Sequence, residues 1–230
     1  MIEKIKVIAF DADDTLWINE TYFREAEKEL ANILSDYGSE EEVIDFLFKT
    51  ETKNIPFFGY GIKGFTLSMI QSAIEFSDYR ITPEQIEAIL NISKNMVLKP
   101  VILLEGVVEV LKSLQSKGYK MVIATKGDLL DQQRKLKKSN LESYFHHIEV
   151  MSDKQEEDYA KLIHHLDIKA DEFLMIGNSI KSDVIPVLNL GGMAFHVPFH
   201  TTWQHEIVDS EISHPCMKTF SNINEILSVL

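Results

Sequence analysis

The apolar pattern starts with "IKVIAF" over positions 5–10, where four apolar residues in a row stop at Asp11; it reads as a buried strand. From Thr21 to about Lys94 the period lengthens to that of a helix. Phe23, Ala26, Leu30 and Ile33 fall on one face, as do Val43, Phe46 and Leu47. "TPEQ" (82–85) carries a helix start, with Thr82 as N-cap, Pro83 in the first turn and Gln85 at the capping-box position. The acidic run Glu40–Glu42 reads as a solvated helix start. "FFGYGIKGF" (57–65) interrupts the block, and its aromatics Phe57, Phe58, Tyr60 and Phe65 are expected in the core of the helical block.

After Pro100 the pattern alternates. "GVVEVLKSLQSKGY" is a helix closed by Gly118, "KMVIAT" a strand, and "DLLDQQRKLKKS" a polar helix. "HHIEVM" is a strand, "EEDYAKLIHHL" a helix, and "EFLMIG" a strand. "SDVIPVLNLG" is a helix with Pro186 in its first turns, "MAFHVP" a strand, and "SNINEILSVL" a final helix. Strands alternating with helices imply right-handed crossovers and a parallel sheet. The expected fold class is therefore α/β, a doubly wound, Rossmann-like parallel sheet. The core takes 1–17 and 97–230, and an all-helical insertion after the first strand takes 18–96.

Composition narrows the function. With 23 basic and 36 acidic residues, the formal charge of −13 speaks against nucleic acid or an anionic membrane as partner, since both need a basic surface. It leaves room for a small anionic substrate in a cleft. Cys216 is the single cysteine, so no internal disulfide forms. Four consecutive apolar residues before Asp11 are too few for a signal peptide, and no run approaches a membrane span. A cytoplasmic location is expected.

In open parallel sheets, ligands bind at the carboxyl ends of strands. That rule selects Asp11, Thr125, Lys154 and the pair Gly177–Asn178. Asp11 and Asp13, two residues apart past a strand end, can point into one crevice. With a backbone carbonyl they make a hard oxygen site suited to Mg²⁺, which offsets their mutual repulsion. Thr125 offers a hydroxyl, and the N–H groups of Lys126 and Gly127 suit phosphate oxygens. Lys154 can neutralise charge on a nucleophile or phosphoryl group. "GNSIKSD" (177–183) adds the amide oxygen of Asn178 and the carboxylate of Asp183.

Together "DADDT" (11–15), "IATKG" with Thr125, Lys154 with Tyr159 five positions on, and "GNSIKSD" resemble, in order, the four motifs of the haloacid dehalogenase superfamily, mostly phosphatases. The helical insertion is similar to that family's cap placed after strand 1. The resemblance implies that Asp11 attacks phosphorus to give an aspartyl-phosphate, and that Asp13 protonates the leaving oxygen and then activates water. It implies Mg²⁺ held by Asp11, the backbone carbonyl of Asp13 and the fourth motif, with Thr125 and Lys154 holding the phosphoryl oxygens. A cap of this kind implies a compact substrate, a small phosphorylated metabolite. Three positions depart from the family pattern: Asp14 replaces the common Gly, Lys126 the common Asn, and Asn178 the first acid of the fourth motif. Lys126 is thereby an extra cation near the phosphate or substrate. Asp183 becomes the alternative metal residue, acting through water.

Rival assignments follow the same residues. A phosphoryl mutase uses the same motifs. A haloacid dehalogenase has no need of the leaving-group acid Asp13. A phospho-receiver module combines clustered acids, Thr, Lys and Mg²⁺ in a much shorter chain without the helical insertion. Lys161 competes with Lys154, but its place inside a helix favours Lys154. Asp14 is expected to be a turn residue, and His164 and His165 are expected on a solvated helix face. His196, His200 and His205 are too loosely spaced to argue for zinc.

Overall fold

The computed structural model describes residues 2–208, 210 and 212–230. Six strands form one sheet: β1 (Val7–Phe10), β2 (Lys120–Lys126), β3 (His147–Met151), β4 (Phe173–Gly177), β5 (Met193–His196) and β6 (Met217–Thr219). Their order is β3-β2-β1-β4-β5-β6, and every pairing is parallel. β1 and β4 are buried along their whole length, which is why they read as unbroken apolar runs.

The two-residue period of the strands splits the core into two faces. Ile8, Phe10, Ile123 and Ile176 pack with Val107, Val110, Leu111 and Leu114 of α5 (Val107–Ser116). Val7, Ala9, Val122 and Met175 pack with Tyr159, Leu162 and Ile163 of α7 (Glu156–His165). Phe10 lies opposite both Ile123 and Ile176, so the residues that follow them leave the sheet at one end. β1 is also where the strand order reverses, the place where such sheets bind ligands.

The chain forms two compact units. The first contains the sheet and comprises Met1–Glu20, Val101–Lys126 and Gln132–Leu230. The second comprises Thr21–Pro100 with Gly127–Asp131. It is helical, with α1 (Glu20–Ile33), α2 (Glu40–Phe58), α3 (Ile62–Phe76) and α4 (Pro83–Leu98) around Leu30, Leu47, Phe65, Met69 and Ile89. The Thr82–Gln85 capping box forms in both directions, at 3.2 and 3.0 Å, and Ser39 makes another ahead of the exposed Glu40–Glu42. Between α5 and α7 run α6 (Leu129–Ser139) and β3, and α8 (Ile185–Asn189) follows β4. Among the described residues no helix is long and apolar enough to cross a membrane.

Several expectations need correcting. Of the four aromatics at 57–65 only Phe65 enters a core. α2 continues past Pro56 to Phe58 and leaves Phe57 79% and Phe58 49% exposed at its end. β6 escapes the sequence pattern because it is a three-residue edge strand with little apolar content, held by pairing with β5. The final helix is a 3₁₀ segment, Ile223–Ser228. Its buried residues, Ile223 and Ile226, are three apart, the spacing that a three-residue turn eclipses on one face.

That short segment is fastened to the main core despite lying near the end of the chain. Ile226 is fully buried beside α5, so Ile226→Ala should cost about 2–5 kcal/mol. Exposed Ser228→Ala should stay within about 0.5 kcal/mol. Urea unfolding of the two variants checks this, and equal midpoints would show that the segment is dispensable.

Candidate active site

The residues that leave the strand ends converge on a buried lysine. Asp11 follows β1 directly, its N–H still bonded to the Ile176 carbonyl at 2.9 Å. Lys154, 2% exposed, donates to Asp11 Oδ1 at 2.5 Å and to Asp183 Oδ1 at 2.6 Å. Burial opposes its charge, but the two carboxylates outweigh that and raise its pKa well above the usual lysine value. Burial is also the largest influence on Asp11. With the charges of Asp183 and Asp13 it outweighs Lys154 and pushes the carboxyl up to about 7.

Asp183 is fully engaged by the protein. Its Oδ1 takes Lys154, its Oδ2 accepts from the Ser179 N–H at 3.0 Å, and the Tyr159 hydroxyl donates to the neighbouring Ser182 carbonyl at 2.9 Å. A π-helical turn, Ile180–Val184, brings it there. Gly177 makes the approach possible, since a Cβ there would lie 2.2 Å from Asp183 Oδ2. Lys161 stays at the surface, 74% exposed, beside Asp158 at 3.7 Å.

The loop after Asp11 is tight. The Ala12 carbonyl accepts from the Leu16 N–H at 2.8 Å, and Asp14 adopts a left-handed conformation, φ 60°. Asp14 is a turn residue, as expected, and more: it accepts from the N–H groups of Asn19 at 2.8 Å and Glu20 at 2.9 Å, capping the start of α1. Burial outweighs those bonds and pushes its carboxyl up to about 8.

Asp13 is gripped by three side chains. Trp17 Nε1 donates to Oδ1 at 2.7 Å, Gln132 Nε2 to Oδ2 at 2.7 Å, and Lys135 Nζ to both, at 2.6 and 2.8 Å. Gln132 and Lys135 lie three apart on one face of α6. Sequence reading passed over them because they look like any polar helix face; their position directly after the Thr125 strand is the one clue. Thr125 itself, 1% exposed, is the penultimate residue of β2, which runs one residue further than expected, to Lys126. Lys126 Nζ donates to Ser182 Oγ at 2.8 Å and pairs with Glu206, a residue no motif indicated. Gly127, φ 138°, belongs to the helical unit.

A cation fits the chemistry of this crevice. Asp11 Oδ2 and Asn178 Oδ1 each lie 3.3 Å from the Thr15 hydroxyl. The single proton of that hydroxyl serves one of these oxygens at a time, and both converge on it. Among the described residues no three His, Cys, Asp or Glu side chains gather as a metal cluster. The convergent donors are oxygens, one carboxylate and one amide, which suits Mg²⁺, an ion that keeps waters and takes few protein ligands.

A doubly wound α/β core with a carboxylate ending its central strand and a buried lysine beside it defines a class of Rossmann-like enzymes. The chain belongs to the haloacid dehalogenase-like hydrolases, whose family model matches residues 5–191. It is 36% identical to a haloacid dehalogenase-like family hydrolase from Xanthomonas campestris, covering 98% of this chain and 90% of that one, with a TM-score of 0.89. The HAD hydrolase YfnB of Bacillus subtilis, described as bound to magnesium, shares the fold at 16% identity and TM-score 0.68, with 98% of each chain covered. Phosphatases and dehalogenases both occur among further structures sharing the fold, such as a predicted phosphoglycolate phosphatase from Haemophilus somnus and a 2-haloacid dehalogenase from Pseudomonas syringae, each 16% identical with a TM-score of 0.64; 98% of this chain is covered in both, with 98% of the first and 97% of the second. Comparison with curated proteins finds no match.

The Asp183 approach gives a direct test. Gly177→Ala should displace that carboxylate, cost about 1–3 kcal/mol and leave Lys154 with a misplaced partner. Thermal unfolding together with activity checks it; wild-type values in both would mean the turn yields without loss.

Proposed function

We propose that this hydrolase is a Mg²⁺-dependent phosphatase acting on a small phosphorylated metabolite. The observation that carries the reading is the fixed carboxylate of Asp13, two residues beyond Asp11 and held by Trp17, Gln132 and Lys135. Dehalogenation releases a halide, which needs no proton; phosphate ester cleavage releases an alkoxide, which does.

In this mechanism Asp13 first takes up a proton from solvent; Asp11 then forms a bond to phosphorus, the ester oxygen departs, and Asp13 gives that proton to it. Lys154, fixed by Asp183, offsets charge at the nucleophile and the phosphoryl oxygens. Thr125 and the N–H groups after it hold those oxygens. Asp13 then takes a proton from water as that water attacks the aspartyl-phosphate and frees Asp11. Asp11, the backbone carbonyl of Asp13 and Asn178 would hold Mg²⁺, with Asp183 orienting its neighbours. The ion supplies charge neutralisation for the phosphoryl group. Charge balance supports the need: the three ammonium groups of Lys126, Lys135 and Lys154 face four carboxylates, Asp11, Asp13, Asp183 and Glu206. With its ammonium groups already paired, the group has little positive charge left for a phosphate dianion, and an accompanying divalent cation would supply it.

A screen of phosphorylated metabolites with Mg²⁺ and with EDTA tests the reading. Asp11→Asn should abolish turnover. Asp13→Asn should slow it by about 10²–10⁴, most for poor leaving groups. Near-normal hydrolysis of p-nitrophenyl phosphate by Asp11→Asn would exclude the covalent route.

Asn178 makes a second, quantitative case. An amide oxygen keeps the donor and drops a charge, so Asn178→Asp should lower the Mg²⁺ needed for half-maximal activity by about tenfold. Asn178→Ala should raise it. An unchanged value for Asn178→Asp alongside lost metal dependence in Asp183→Asn would make Asp183 the ligand.

A further inference from the structure

Lys126 stands next to Thr125, where an additional ammonium would ordinarily attract a second anionic group of the substrate. The structure gives that ammonium an internal anion instead. The carboxylate comes from Glu206, in a 3₁₀ turn, Gln204–Glu206, between β5 and β6 and beyond the 5–191 span of the family match. Lys126 and Glu206 are 15% and 10% exposed at their side chains. Glu206 also accepts from the Ser179 hydroxyl and, at 2.6 Å, from that of Ser182, the residue whose oxygen receives Lys126. Lys181 fastens the turn by donating to the His205 carbonyl at 2.7 Å. Both serines belong to the fourth-motif segment that positions Asn178 and Asp183.

We infer that Glu206 is a specificity-determining residue: it neutralises Lys126, so the phosphate site accepts monoesters without a second anion near the phosphate and disfavours those that carry one. The inference rests on the phosphate-site reading above. Its electrostatic basis is consistent throughout the network. Burial alone would raise the Glu206 carboxyl, but Lys126 and the hydrogen bonds from Lys126, Ser179 and Ser182 outweigh it and hold the group at about 2. The carboxylate is therefore a permanent charge at neutral pH. With that charge in place, a substrate carboxylate approaching Lys126 meets an ion pair rather than a cation, and part of any attraction is cancelled by Glu206 itself.

The chemistry separates this role from a structural one, because removing the charge should create a preference that the wild type lacks. Binding is measured by calorimetry with Mg²⁺ for two probes, methylphosphonate and phosphonoacetate, which differ by one carboxylate; no turnover is needed. Glu206→Gln keeps acceptor and shape and should shift the affinity ratio toward phosphonoacetate by about tenfold. Adding Lys126→Met to that variant should erase the shift. Lys126→Met alone, a control that does not depend on Glu206→Gln folding, leaves Glu206 without its cation and should shift the ratio away from phosphonoacetate. Phosphonate binding with an unaltered ratio in Glu206→Gln would overturn the inference and leave the phosphate site standing, and so would a shift toward phosphonoacetate in Lys126→Met. Binding of neither probe by any of the proteins would overturn both readings.

Discussion

The ammonium of Lys154, buried between Asp11 and Asp183, is the constraint on which the rest of the crevice depends. Neither carboxylate tolerates its position without the cation, and the cation tolerates its position only with both. Removing one partner of such a buried group typically costs about 3–5 kcal/mol, because the remaining charge is left uncompensated. The three residues come from the segments that follow β1, β3 and β4, so the contact ties those three connections together at the carboxyl end of the sheet.

Around that centre the protein spends backbone geometry rather than bulk. A glycine opens room for Asp183, a π-helical turn delivers it, and a left-handed aspartate folds the loop after Asp11. Each device is local, yet each sets the position of a charged group to within a hydrogen bond. The cations meanwhile are all spoken for: Lys154 by two acids, Lys135 by Asp13, Lys126 by Glu206. The crevice is organised as ion pairs before any substrate arrives, which limits how far its side chains must reorganise as charge develops.

Much of this was legible in the chain. Buried strands announce themselves as apolar runs, and the residue after each run marks the functional end of the sheet; Asp11, Thr125 and Asn178 were found in that way. Lys154 was less direct, lying three residues beyond β3. What escaped has a common physical cause. β6 is held by a neighbour's hydrogen bonds and not by its own composition. The 3₁₀ ending has a period of three that resembles a helix over so short a span. Gln132, Lys135 and Glu206 are polar residues on solvated-looking segments, and only tertiary structure turns them inward. Phe57 and Phe58 erred in the opposite sense, since hydrophobicity says that a residue prefers burial and not that a helix end will supply it.

The indole of Trp17, 1% exposed and bonded through Nε1 to Asp13, gives the protein a built-in optical reporter. Its emission depends on the electric field and the hydrogen bond at that nitrogen, so it reads the state of the very carboxylate assigned to proton transfer. The chain has only two tryptophans, and the other, Trp203, lies in the β5–β6 connection against His205. Replacing Trp203 with phenylalanine would leave a single emitter at the reacting end of the sheet, turning the enzyme into its own stopped-flow probe without any added label.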